Sequence, residues 1–450
     1  MNLFFTRWCL VFCLLAPTLS AHPPADSLGS EATLDACIRY ALLHQPALRQ
    51  TALEQEITNA DIRIRLSDWL PQVGFNYYIQ HYLKLPVSAF PDPSNPDGPR
   101  RIVTIGLKNT SALQFSASQT LFSADVLFAS RTARDFRAQS YQQTQTAKID
   151  LTVDVSKAFY NVLLTQQQTQ VLQETIARLE RNLKDAYSQY QAGITDKIDY
   201  KRATISLNNA RAQLKGISES LEGNYALLKQ LMGYPHEAPL QVVSDTAALQ
   251  QAVPLDTLQQ LQFENRVEYQ LAQTNLRLQR ANVAYNRQAF LPSLSAFLDY
   301  NMLYQNDQIS EIYSRQFPNS VTGLRLALPI LQGGRRLQNI QRANLVYQQS
   351  ELQVENIQNQ INTEYTQALA TYKSNLADLQ ANEENLTIAR EVYTTVKLQY
   401  DEGIKTYLEV IVSETDLRTA ELNRLNALYQ VLSAKLDVQR ALGTLSPDQE

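Results

Sequence analysis

The sequence predicts a mainly α-helical chain with a membrane β-barrel portion, built by duplicating a helix, hairpin, long helix, helix unit. Three observations carry that reading. Residues 123–190 and 335–402 each form a 68-residue stretch without glycine or proline. Each half of the chain holds a pair of segments in which apolar and polar residues alternate with period two. The turns, prolines and glycines of the first half return in the second at fixed offsets.

At a rise of 1.5 Å per residue, a 68-residue helix spans roughly 100 Å, several times the usual helix length. Both stretches are crowded with Gln, Asn, Lys, Arg and Glu, which excludes a membrane-spanning helix. The chain of 450 residues is 44% hydrophobic and 19% charged, a folded composition rather than a disordered one. Its net charge of −4 gives no electrostatic case for nucleic acid. No long apolar run follows the N-terminus, so no transmembrane helix is expected.

Residues 1–21 read as a signal peptide, with Arg7, the apolar segment 8–16 and a small-residue cleavage region, Thr18-Leu19-Ser20-Ala21. Cys9 and Cys13 fall inside it, and Phe12 before Cys13 argues against a lipoprotein signal. The mature chain then keeps Cys37 alone, so it is exported without an internal disulfide.

The first repeat (22–233) opens with helical periodicity from Leu34, resumes at Pro46 and stops at Trp69-Leu70-Pro71. A strand is expected over about 72–82, where Val73, Phe75, Tyr77 and Ile79 alternate with Gly74, Asn76, Tyr78 and Gln80. Residues 84–101, with five prolines, read as a long exposed loop. A second strand over about 103–121 leads into the long helix 123–190, whose Leu172, Ile176, Leu179, Leu183, Ala186 and Tyr190 are spaced like a coiled-coil seam. Gly193-Ile194 reverses the chain, and a return helix over about 195–232 ends at Gly233.

After a connecting segment (234–254) the pattern recurs in a second repeat (255–443), followed by a tail, 444–450. Leu255-Asp256 and Leu291-Pro292 match Leu34-Asp35 and Leu70-Pro71 at an offset of 221. Strands are expected over about 293–304 and 320–331, the latter carrying Leu324, Leu326, Leu328 and Ile330. The second long helix, 335–402, reverses at Gly403-Ile404, and a return helix over about 405–442 ends at Gly443. Gly403 and Gly443 repeat Gly193 and Gly233 at an offset of 210.

Four strands with one apolar and one polar face fit a barrel that is apolar towards lipid and polar towards a lumen. Phe75, Tyr77, Leu324 and Leu326 are the expected lipid-facing side chains. Lipid tolerates no open sheet edge, so four strands must close with copies of themselves. Two, three or four copies all satisfy that rule.

The chemistry of an enzyme is missing. The four histidines are scattered, and there is no HExxH, P-loop, GxGxxG or CxxC, so neither metal nor cofactor is expected. Asp150 and Asp154 are the nearest thing to paired carboxylates in the first long helix, and they read as a solvated face. A periplasmic structural coiled coil is the competing reading, but it leaves Phe75, Tyr77, Leu324 and Leu326 without a purpose.

The duplicated layout, Leu-Pro before each hairpin and Tyr-x-x-Gly-Ile at each helix reversal resemble the TolC family of outer-membrane efflux proteins, over residues 34–445. That resemblance implies a homotrimer whose 12-stranded barrel sits in outer-membrane lipid and continues into a coiled-coil α-barrel across the periplasm. It implies a passive exit duct of a tripartite efflux or type I secretion system, working with a periplasmic adaptor and an inner-membrane pump. The tips Gly193, Ile194, Gly403 and Ile404 would dock the adaptor. Lys405 and Glu409, with Asp199 as first-half counterpart, match the family's charged entrance, while the position of a second acidic ring is occupied by Val412. Three copies of Glu409 would favour cations; within one chain, Lys405 and Glu409 also suit a plain i, i+4 pair.

Overall fold

The computed structural model describes residues 32–91, 98–243 and 246–445. The signal peptide expected at 1–21, with Cys9 and Cys13, and the end of the tail (446–450) lie outside the described residues.

The chain runs α1 (Leu34–His44), α2 (Pro46–Ser67), β1 (Gln72–His81), β2 (Val87–Phe90), β3 (Arg101–Thr104), β4 (Asn109–Phe122), α3 (Ala124–Gln191) and α4 (Lys197–Met232). A short α5 (Thr246–Gln251) lies in the connection. The second half then gives α6 (Val267–Gln288), β5 (Ser293–Asn306), β6 (Gln316–Ala327), α7 (Arg335–Asp401) and α8 (Tyr407–Leu442). α3 and α7 are unbroken helices of 68 and 67 residues.

Four expectations need correction. The loop 84–101 carries a small hairpin, because Val87 to Phe90 pair with Thr104 to Arg101. Residues 101–104 therefore belong to β3, and the strand expected from 103 starts at Asn109. β6 is shifted to Gln316–Ala327, leaving Leu328 and Ile330 outside it. α6 repeats α2 at the 221 offset, but α1 has no helical counterpart: 255–266 forms turns and a 3-10 turn at Phe263–Asn265. Asp256 Oδ1 accepts from the Leu258 N–H at 3.0 Å, a local turn that competes with a helix start. Thr33, in contrast, caps α1 by accepting from the Ala36 N–H.

β1, β4, β5 and β6 form an antiparallel sheet in the order β1-β4-β5-β6, separate from the β2–β3 hairpin, so β1 and β6 are free edges of the main sheet. The helices flank one another in two tiers. Next to the sheet α2, α3, α6 and α7 lie side by side; towards the reversals the order is α4, α3, α8, α7. The main core lies midway, where Phe159, Leu163, Leu228, Met232, Leu428 and Leu432 pack with α1 and the connecting segment. Ala32 bridges Val242, and Tyr372 Oη donates to the Val253 carbonyl at 3.0 Å.

The duplicated glycines lock the two repeats the same way. Gly233 (φ 67°) lies so close to α1 that a Cβ would sit 2.8 Å from the His44 carbonyl oxygen. At Gly443 (φ 71°) it would sit 2.6 Å from that of Asn265. Beside it Arg266 is buried, donating to the Ala441 carbonyl (3.0 Å) and pairing with Glu364 (2.9 Å) and Glu268 (3.0 Å). Asp150 also departs from expectation. Burial raises its carboxyl above the usual range, and it pairs with Arg440 at 2.6 Å, tying α3 to α8.

Candidate functional site

Two regions hold the residues singled out in the sequence: the sheet faces and the helix-reversal tips. Residues directly opposite in an antiparallel ladder project to the same face. Phe75 pairs with Phe115, and Phe115 with Tyr300; Tyr77 pairs with Leu113, and Leu113 with Met302. Ala296 pairs with Leu324, and Leu294 with Leu326. The register thus brings Phe75, Tyr77, Leu324 and Leu326 to one face, all exposed in the protomer. At its outer end, away from the helices, Tyr77 Oη lies 3.0 Å from Tyr313 Oη, and Tyr304 stacks edge-on against Tyr313. Such a rim of tyrosines suits a lipid–water boundary.

The opposite face carries Asn76, Gln80, Gln114, Ser116, Ser118, Asp299 and Asn301. It is not uniformly polar. Phe297 lies there against Gly323, where an added Cβ would meet its ring at 3.1 Å, and the Arg325 guanidinium sits 5.1 Å from the ring centroid. No alternation argument finds that contact, because it depends on the pairing of Phe297 with Gly323 across strands.

At the tips the two reversals share a backbone. The Gly193 N–H donates to the Tyr190 carbonyl and Ile194 to Gln189; Gly403 donates to Tyr400 and Ile404 to Gln399. Gly193 and Gly403 have φ of 72° and 76° with open space around them, so glycine is required by conformation alone. Ile194 and Ile404 are 74% and 71% exposed, high for isoleucines.

Their charged residues differ. Thr406 and Glu409 form a capping box: Glu409 Oε2 accepts from the Thr406 N–H at 2.9 Å, and Oε1 receives Lys405 Nζ at 2.5 Å. The Lys405 and Thr406 hydrogen bonds lower the Glu409 carboxyl to about 2. Asp199 holds the equivalent position on α4, where Asp196 is the cap, and among the described residues its own side chain makes no hydrogen bond or ion pair. The structure therefore separates residues that the sequence puts in register: Glu409 and Lys405 are engaged with each other, and Asp199 has no ion-pair partner among the described residues.

Aromatic residues join the tips: the motif tyrosines Tyr190 and Tyr400 meet Tyr187, Tyr200 and Tyr407, to which no sequence motif points. Tyr187, Tyr190 and Tyr200 cluster with ring centroids 5.1–6.5 Å apart. Tyr400 packs on the buried Tyr407 and donates to Gln189 Oε1 at 2.8 Å, linking α7 to α3. Above them Glu414 is buried 3.9 Å from Arg178, and burial raises its carboxyl. Among the described residues no group of His, Cys, Asp and Glu could hold a metal, and no helix is long and apolar enough to cross a membrane.

A sequence profile of the outer membrane efflux proteins matches residues 37–234 and again 258–444, one match for each repeat. The chain belongs to the outer membrane efflux protein family. Its relatives include outer membrane protein TolC of Vibrio cholerae, 22% identical over 340 residues, covering 73% of this chain and 76% of the relative. The toluene efflux pump outer membrane protein TtgF of Pseudomonas putida is 24% identical over 413 residues, covering 90% and 82%. Among solved structures, CusC superposes with a TM-score of 0.73 at 18% identity, covering 94% of this chain and 95% of that one. VceC of Vibrio cholerae gives 0.72 at 17%, covering 91% and 96%. The fold is that of these outer-membrane channels. This family member is an outer-membrane efflux channel that extends into the periplasm, and its family is one of transport proteins rather than enzymes.

Proposed function

We propose that the chain is the exit duct of a tripartite efflux or type I secretion system, closed as a homotrimer. What supports this most is the incomplete protomer: a four-stranded sheet with both edges unpaired, continuous with helices of 68 and 67 residues. Three copies close a 12-stranded barrel and remove every edge, and the long helices form a water-filled wall across the periplasm. Apolar stripes on the outermost helices fit the same closure. Leu337, Leu345 and Leu352 are exposed along α7, and Leu53, Ile57 and Ile64 along α2, at the two sides of the protomer.

In this assembly Phe75, Tyr77, Leu324 and Leu326 face lipid, and the Asn, Gln and Ser face lines the lumen. Gly193-Ile194 and Gly403-Ile404 form the docking tips for the periplasmic adaptor, which connects the duct to the inner-membrane pump. Asp199, Glu409 and Lys405 surround the entrance. Asp199 supplies its free negative charge, because Lys405 offsets Glu409 within each chain.

A cysteine at Ile404 with a short crosslinker in intact cells tests the docking role. The expected product joins this chain to a periplasmic adaptor, and a cysteine at the sheet-end residue Leu83 gives none. Equal products from both positions, or none from Ile404, contradict it.

A further inference from the structure

A cavity of about 520 Å³ opens where α2, α3 and α6 meet, one to six turns below the sheet. Its volume lies in the range of small-molecule sites. Ile62, Phe128, Phe136 and Tyr285 supply an apolar and aromatic lining. Asp61, Asp68 and Asp125 stand around it with one counter-charge, Arg65. Among the described residues the side chains of Asp61 and Arg65, one turn apart on α2, and of its C-cap Asp68 make no hydrogen bond or ion pair. Asp125 is held in place by Tyr285 Oη at 2.6 Å, and that ring packs on Phe128 with centroids 5.2 Å apart.

We infer that this cavity is a binding site for an organic cation with an aromatic or apolar body. Three carboxylates against one guanidinium leave an excess of negative charge at the rim. Aromatic faces beneath attract a cation further through their quadrupoles and hold an apolar body out of water. A neutral ligand of the same shape would gain the second contribution only, and an anion would be repelled. On the cavity wall the buried Thr132 turns its hydroxyl back to the Phe128 carbonyl at 2.8 Å, and Ser140, Gln143 and Asn282 supply neutral polar groups to the lining. The site lies far from the tips, and it does not depend on the docking role proposed for them.

Equilibrium dialysis of the full-length protein in nonionic detergent tests the inference, with tetraphenylphosphonium as the cation and triphenylphosphine oxide as the uncharged comparison. The expected result is saturable binding of one cation per chain, at least tenfold tighter than the neutral compound. Asp61→Asn with Asp68→Asn should weaken the cation at least tenfold and leave the neutral compound unchanged. Phe128→Ala should weaken both. Equal binding of the two compounds, or a cation affinity unmoved by the aspartate replacements, overturns the inference. A neighbouring copy of the chain filling the cavity would also overturn it. That outcome would appear as a Thr58→Cys variant that a trimethylammonium thiol reagent modifies only after the assembly is dissociated.

Discussion

α3 and α7 are the same stave of a duplicated unit, yet the protomer treats them differently. α3 buries twenty of its residues, from Val126 to Ala186, whereas α7 buries six. The reason is position. α3 lies between neighbours in both tiers, with α2 and α6 near the sheet and α4 and α8 below. α7 has one flank covered by α6 and α8, and its Leu337, Leu345 and Leu352 stay exposed at 65%, 58% and 66%. A helix with that stripe is stable only when something covers it. The repeat is thus symmetric in sequence and asymmetric in burial, and in the proposed homotrimer the exposed side of α7 is the one a second copy would cover.

The comparison can be broken most forcefully at that stripe. Leu345→Asp with Leu352→Asp should dissociate the assembly, because two carboxylates would be buried against an apolar neighbour. Analytical ultracentrifugation in detergent checks it: monomers are expected, with helix content kept. The same pair of changes on a face that no copy covers would leave assembly intact.

The glycines give the next largest effect. Gly443→Ala combines a left-handed backbone, costing about 1–3 kcal/mol, with a Cβ driven into the Asn265 carbonyl. Gly403→Ala pays only the conformational part, since nothing lies near it. Thermal unfolding followed by circular dichroism should show the larger fall in melting temperature for Gly443→Ala.

At the proposed entrance the contrast is between Asp199, with no ion-pair partner among the described residues, and Glu409, engaged by Lys405. Asp199→Asn should lower cation preference in planar bilayers more than Glu409→Gln does, because Lys405 already offsets Glu409 within its own chain. Equal effects would mean that the Lys405 pair opens in the assembled pore.

The smallest effect is in pH. The Glu409 carboxyl is depressed from the ordinary value of 4.5 to about 2, so its contribution to the α8 cap is present above the unfolded value. That contribution is lost as pH falls through about 2. The difference in bilayer selectivity between the native chain and Glu409→Gln should therefore persist at pH 4 and vanish only towards pH 2. A difference that disappears near pH 4.5 would place Glu409 outside the capping box.

Much of this architecture was legible in the residues. Absence of glycine and proline marked α3 and α7 to within a residue at each end, because a helix continues until something stops it. Apolar alternation marked the strands, but not where they stop. Leu328 and Ile330 continue the pattern of Leu324 and Leu326, yet pairing ends at Ala327 because its partner Ser293 is the first residue of β5. A strand boundary is a property of two segments, and alternation reads only one. The β2–β3 hairpin was hidden among prolines for the same reason. At the tips, Thr406-x-x-Glu409 carries a capping-box signature that could have been read directly. The Tyr187, Tyr190 and Tyr200 cluster and the cavity under Phe128 had no such signal, since both form only when helices distant in sequence or reversed on themselves come together.

The claim on which the rest stands is that the protomer is one third of a closed duct. Native mass spectrometry of the full-length protein released from detergent micelles measures that most directly. Three chains per particle are expected, surviving until the α7 stripe is charged. A particle of one chain, or of two or four, would contradict the closure.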